Sequence, residues 1–217
     1  MFDLDGTICD SAASIASALN YALSELGRET LPEKGILHYI GPHPEAVFIE
    51  LLRTSDRAVI SSAVELYRYH YADSAYSKSI LYCDMGDVLR ELQNAGFTLC
   101  VATAKPKYIA EKILKFLGVG SQFSLVLGGD SYREKADMLT EIMTDLESGN
   151  TIMIGDRDTD FGAASEVHIP SIGVKWGYGA ERELELATAV VNKPRELSDT
   201  IRRLLLSSMG NNSTDST

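Results

Sequence analysis

Residues 151–160 read Thr-Ile-Met-Ile-Gly-Asp-Arg-Asp-Thr-Asp (TIMIGDRDTD). Thr151–Ile154 offers apolar side chains to both faces, which suits a strand covered on both sides. Gly155 breaks the run, and Asp156, followed one turn later by Asp160, arrives at the strand's C-terminal edge. The same rhythm recurs around it. Strand-like runs at Phe97–Ala102, Phe123–Leu127, Ser171–Val174 and Ala189–Val191 alternate with helical patterns centred on Val88–Gln93, Tyr108–Phe116, Ala136–Leu146, Gly162–Glu166 and Glu196–Leu205. Doubly buried strands alternating with amphipathic helices predict an α/β fold with a doubly wound parallel sheet, a Rossmann-like core. Such sheets take ligands outside the C-terminal strand ends, where this acidic turn falls.

The N-terminal third reads differently. Ile15, Ala18, Leu19, Ala22, Leu23 and Leu26 have helical spacing from Ser11 to Leu26, with Asp10 or Ser11 as cap and Gly27 as stop. A second helix opens at Pro44 and includes Val47, Phe48, Leu51 and Leu52; a third runs from about Asp56 to Tyr71. No convincing strand lies between Asp10 and Ser79, so this block predicts an inserted all-helical cap domain. The division is then 1–10 and 80–209 for the core, 11–79 for the cap, and 210–217 (GNNSTDST) for a disordered tail. One strand is anomalous. Only Met1 and Phe2 precede Asp3, so that strand either continues upstream of Met1 or is a stub.

Asp3-Leu4-Asp5-Gly6-Thr7 (DLDGT) supplies the second acidic segment. Residues i and i+2 of a strand share a side, so Asp3 and Asp5 aim together while Leu4 packs behind. Gly6 permits a tight turn. Adjacent carboxylates repel unless a cation or proton lies between them. Alone, this stretch is equally a solvated Asp-Gly turn. Together with the GDxxxD of Gly155–Asp160 it gathers up to four carboxylates, an oxygen-only donor set that suits Mg²⁺. Val101–Pro106 runs a strand into a helix start. There Thr103 offers a hydroxyl, and the backbone N–H groups of Ala104 and Lys105 form an anion site. Many strand-to-helix turns carry a threonine, and a lone lysine such as Lys135 is commonly a surface residue. Both take their meaning from the carboxylates around them.

The order DxDGT, strand ending in Thr, Lys, GDxxxD spans the whole chain. It resembles the haloacid dehalogenase superfamily, in particular the phosphoglycolate phosphatase-like branch, which includes nucleotide 5′-phosphatases and inserts a helical cap after the first motif. Tyr39-Ile40-Gly41-Pro42, Gly155-Asp156-Arg157 and Gly173–Gly179 (GVKWGYG) support the resemblance. The resemblance implies Asp3 as nucleophile, and Asp5 as general acid and then base. Its metal set is Asp3, Asp5 (through the main-chain carbonyl), Asp156 and Asp160 around Mg²⁺. Thr103, Ala104 and Lys135 would hold the phosphate, and the loop carrying Gly41 would touch the substrate. Arg157 is then a partner of Asp3 or Asp156, or a surface arginine. The activity implied is hydrolysis of a small phosphate monoester, of phosphoglycolate or nucleoside 5′-monophosphate type. A phosphosugar mutase resembling β-phosphoglucomutase keeps the same motifs, and a non-catalytic binding protein on the same fold is the third reading. Asp5 separates the chain from dehalogenases, which lack that acid. Lys34 and Lys78 sit in no apolar motif of the kind a phosphonatase lysine needs.

Composition narrows the partners. The 217 residues carry 31 acidic against 20 basic side chains, a net charge of −11. That argues against nucleic acid or an anionic membrane and leaves a small phosphorylated metabolite, met by a monomer or homodimer. No apolar run approaches the ~18 residues of a spanning helix, and no secretory signal is visible. Cys9, Cys83 and Cys100, odd in number and without CxxC spacing, read as reduced, packed thiols of a cytoplasmic protein. The four histidines show no metal spacing, and Tyr67, Tyr69, Tyr71 and Tyr76 read as helix packing.

Overall fold

The computed structural model describes residues 1–32, 35–129, 133–147 and 150–211, with side chains described as far as Leu206. A two-residue strand, β1 (Cys9–Asp10), leads into α1 (Ala12–Glu25), α2 (Pro44–Leu52) and α3 (Arg57–Asp73), and β2 (Ile80–Leu81) leads back out. Local chemistry sets the helix limits. Gly27 takes φ +66° just past α1, where a left-handed residue lets the last carbonyls find partners. Pro44 occupies the first turn of α2, and the Asp56 carboxylate accepts from Ala58 N and Val59 N at the start of α3. The three helices bury Leu19, Phe48, Val64, Tyr67 and Tyr71 between them. β1 and β2 pair antiparallel, Cys9 opposite Leu81 and Asp10 opposite Ile80. Sequence periodicity does not reveal this pair, because two residues cannot display an alternation.

The main sheet is parallel. β3 (Cys100–Thr103) pairs with β4 (Leu125–Gly128), and β5 (Met153–Gly155), β6 (Ser171–Val174) and β7 (Ala189–Val191) pair in that order. Phe2 bridges the two groups, opposite Val101 on one side and Ile154 on the other. Four bonds of 2.8–2.9 Å fasten it: Phe2 N to Cys100 O, Ala102 N to Phe2 O, Asp3 N to Ile154 O and Ile154 N to Met1 O. Three residues thus occupy the central strand position. Side-chain alternation then sorts the helices. Cys100, Ala102 and Met153 pack with α6 (Lys135–Asp145) and α7 (Asp158–Glu166). Val101 and Ile154 pack on the other face with α4 (Met85–Asn94), α5 (Lys107–Phe116) and α9 (Leu197–Asn211). The result is a doubly wound α/β core with an inserted helical cap. A short α8 (Glu181–Leu184), not foreseen, follows β6.

Three expectations need correction. The strands anticipated from Phe97 and Thr151 begin at Cys100 and Met153. The Met1 nitrogen donates to Ile152 O at 2.8 Å, and Ser124 N donates to Leu99 O at 2.8 Å just ahead of β3. A cavity of about 410 Å³ lies there, lined by Met1, Phe97, Leu99, Ile152 and Ile201 among others. Cys83 is exposed, whereas Cys9 and Cys100 are buried free thiols. Gly210 and Asn211 complete α9 rather than opening a tail; residues 212–217 lie outside the described residues. Among the described residues no helix is long and apolar enough to cross a membrane.

Candidate active site

The strand Met1–Asp3, β3 and β5 are parallel, so Asp3, Thr103 and the turn after Gly155 all emerge at one edge of the sheet. Two glycines let loops close on that edge. Gly6 has φ +81°, and a Cβ there would lie 2.4 Å from Asp156 Oδ2; one on Gly177 would lie 2.3 Å from Asp156 Cβ. Backbone approaches this close exclude any side chain. Asp3, Asp156 and Asp160 are buried, with carboxylate oxygens within 4.8 Å of one another. Asp156 accepts from Tyr178 N at 2.7 Å, Gly179 N at 3.3 Å and Thr7 Oγ1 at 3.3 Å. Asp160, in the first turn of α7, accepts from Asp156 N and Arg157 N at 3.0 Å each, which fixes the turn as a helix-start motif. Lys135, the first residue of α6, pairs with Asp160 Oδ1 and, at 3.1 Å, with Asp3 Oδ1.

Electrostatics follow from this crowding. Burial pushes the Asp3 carboxyl up to about 7; Lys135 opposes the rise, and Asp160 and Asp5 add to it. Burial, then Asp160 and Asp3, push Asp156 up to about 8 against the Tyr178 N–H and Lys135. Burial would lower the Lys135 ammonium, but Asp160 and Asp3 outweigh it and hold the group charged. Three carboxylates facing one ammonium leave an excess of buried negative charge. Hard oxygen donors with uncompensated charge fit a small divalent cation.

The Asp5 carboxylate does not join this cluster. Its Oδ1 accepts from Ser11 Oγ, and its Oδ2 pairs with Lys105 Nζ at 3.0 Å. The four carboxylates anticipated as one group therefore divide into three plus one. Asp3 and Asp5 nevertheless line one cavity of about 150 Å³, together with Thr103, Ala104, Lys135 and Gly41. Asp156 and Asp160 lie beneath it, fully buried. The Thr103 hydroxyl accepts from Lys105 N at 3.3 Å.

The sequence model of the haloacid dehalogenase-like hydrolases matches residues 1–174. The chain belongs to that family. A phosphoglycolate phosphatase of Colwellia psychrerythraea is 30% identical over 219 residues, covering 95% of each chain. The tyrosine-protein kinase PtkA of Mycobacterium tuberculosis is 30% identical over 213 residues, 94% of this chain and 71% of its own length. The crystal structure of a predicted phosphatase from Clostridium acetobutylicum superposes with a TM-score of 0.86 at 30% identity, covering 94% of this chain and 97% of that one. This haloacid dehalogenase-like hydrolase is a phosphoric monoester hydrolase.

Three residues of the hydrolase's site were not legible in the motifs. The Arg157 guanidinium bonds to other groups than the expected Asp3 or Asp156 carboxylates: its Nε donates to Glu183 Oε2 at 2.9 Å and its Nη1 to the Ile40 carbonyl at 2.6 Å. It thereby ties the GDxxxD turn to the cap loop, where Gly41 (φ +111°) lies so near that a Cβ would meet Arg157 Nη1 at 3.3 Å. The sequence marks Lys105 only by its backbone N–H, yet its side chain is buried against Asp5. Tyr178 contributes its backbone to Asp156 and its hydroxyl to the start of α1.

Proposed function

We propose that this hydrolase is a Mg²⁺-dependent phosphatase of small phosphate monoesters, of phosphoglycolate or nucleoside 5′-monophosphate type, working through an aspartyl-phosphate. One observation carries the reading: Asp3 faces the cavity at the end of the central strand, with Lys135 beside it and Asp5 held apart from it by Ser11 and Lys105. Asp3 attacks phosphorus, and the ester oxygen departs with a proton from Asp5. Asp5 then takes a proton from water, whose oxygen attacks the same phosphorus and frees Asp3. Lys135, the Thr103 hydroxyl and the Ala104 backbone hold the transferring oxygens, a contribution of charge and position. Asp3, the Asp5 carbonyl, Asp156 and Asp160 would hold Mg²⁺, which when bound offsets the charge of the phosphate and of the carboxylates around it.

Residues 11–79 act as a cap that excludes water from the first step, over a core of 1–10 and 80–209; Gly41 lies on the cap loop that meets the substrate. Free thiols fit a reducing compartment, and the cytoplasm is the place assigned. The test is phosphate release from p-nitrophenyl phosphate and from a panel of metabolite esters. Activity should require Mg²⁺, vanish with excess chelator and fall by at least about 10⁴-fold in Asp3→Asn, the scale seen when a nucleophile is removed. Activity that survives Asp3→Asn defeats the mechanism. Conversion of a hexose 1-phosphate to its 6-phosphate without free phosphate would assign a mutase instead.

A further inference from the structure

Beside the cavity at Asp3 lies a smaller one of about 40 Å³. Asp5, Gly41, Pro42 and Ala104 line both, so the two cavities adjoin at Asp5. The smaller is built by Lys105 from the core and by Tyr67 and Tyr71 of α3. Lys105 Nζ sits 4.2 Å above the centre of the Tyr71 ring, and 3.0 Å from Asp5 Oδ2. An ammonium has three donors, and this ion pair engages one of them. Tyr71 is fully buried, and its hydroxyl has no hydrogen-bond partner among the described residues. A phenylalanine would give Lys105 the same ring without the orphan hydroxyl. Two buried polar groups, one cationic and one unpaired, thus line a cavity that adjoins the one at the reacting centre.

We propose that Lys105 and Tyr71 are specificity-determining residues, which take a carboxylate borne by the leaving group of the substrate. The proposal rests on the phosphatase reading. In-line attack by Asp3 sends the leaving group to the opposite side, towards Asp5, and the space beyond Asp5 is this cavity. A cavity holding one water needs roughly 10–15 Å³, so this one takes a short acid and has no room for a nucleoside. Of the two ester types in the phosphatase reading, this subsite selects the phosphorylated short-chain hydroxy acid. Tyr71 belongs to the cap, so the acid is recognised only where cap and core meet.

The test compares kcat/KM for 2-phosphoglycolate and ethyl phosphate, which differ in the carboxylate, in the wild type, Lys105→Met, Lys105→Arg and Tyr71→Phe. The wild type should prefer the acid. Lys105→Met should reduce that preference about 10- to 100-fold and Tyr71→Phe about 10-fold, the worth of charged and neutral hydrogen bonds. The change should appear in KM for the acid, and Lys105→Arg should retain the preference. Equal losses on both esters in a folded Lys105→Met would mean that Lys105 serves Asp5 alone, which overturns the proposal. A wild type that hydrolyses p-nitrophenyl phosphate but does not favour the acid, or favours nucleoside monophosphates, overturns the subsite and leaves the phosphatase reading standing. No hydrolysis of any ester overturns both.

Discussion

Asp156 shows how a single residue links the chemistry of the site to the stability of the chain. Its carboxyl is raised from an ordinary 3.8 to about 8 by burial, Asp160 and Asp3. With metal removed, the folded state therefore binds more protons than the unfolded one between about pH 4 and pH 8, and stability falls as pH rises through that window. Chelated protein should lose more stability between pH 5 and pH 8 than chelated Asp156→Asn does. Each kcal/mol relieved corresponds to about 2–4 °C in Tm for a chain of this size. Thermal melts of the two proteins at both pH values check this, and parallel behaviour would remove Asp156 as the source. Asp3 and Asp156 could be singled out from sequence because strand ends are recognisable and GDxxxD is dense in acid. Lys105 and Tyr71 could not, because their contact joins a core loop to a cap helix far away in the chain.

At the level of the element, the start of α1 departs from its simplest reading. Ser11 is placed to cap the helix, but its hydroxyl goes to Asp5. Asp10, the other cap candidate, accepts from Ala12 N at 3.0 Å, and the Tyr178 hydroxyl adds to it: it accepts from Ser11 N at 2.7 Å and Ala12 N at 3.0 Å and donates to Asp10 Oδ1 at 2.6 Å. Tyr178→Phe should cost about 1–3 kcal/mol by orphaning Ser11 N, read as a lower denaturation midpoint with unchanged m value. The helices of the core and cap were legible because apolar spacing and stop residues such as Gly27 are local. The β1–β2 pair and the late start of β3 were not, because pairing depends on which chain lies alongside. Tyr178 belongs with them; nothing in GVKWGYG announces that its hydroxyl meets a helix across the sheet.

Across the whole molecule, Arg157 is one of the clasps between core and cap. It joins Glu183, beside the GDxxxD turn, to the carbonyl of Ile40 in the cap loop. Arg157→Ala should free that loop, speeding amide exchange over Leu37–Ile40 by about tenfold or more while exchange in β5 and β6 is unchanged. It should also raise KM more than it lowers kcat. Exchange that does not change would mean the cap is held elsewhere.

The β1–β2 pair has a consequence of a different kind. Cys9 faces Leu81 and Asp10 faces Ile80, and facing residues of an antiparallel pair lie only about 5 Å apart. A two-residue hairpin turn bridges such a gap. Everything between Asp10 and Ile80 is thus grafted onto the core at one stem. The length and helices of that graft can change without cutting a strand of the catalytic sheet, so the wall facing the substrate can vary while Asp3, Asp156 and Asp160 keep their places.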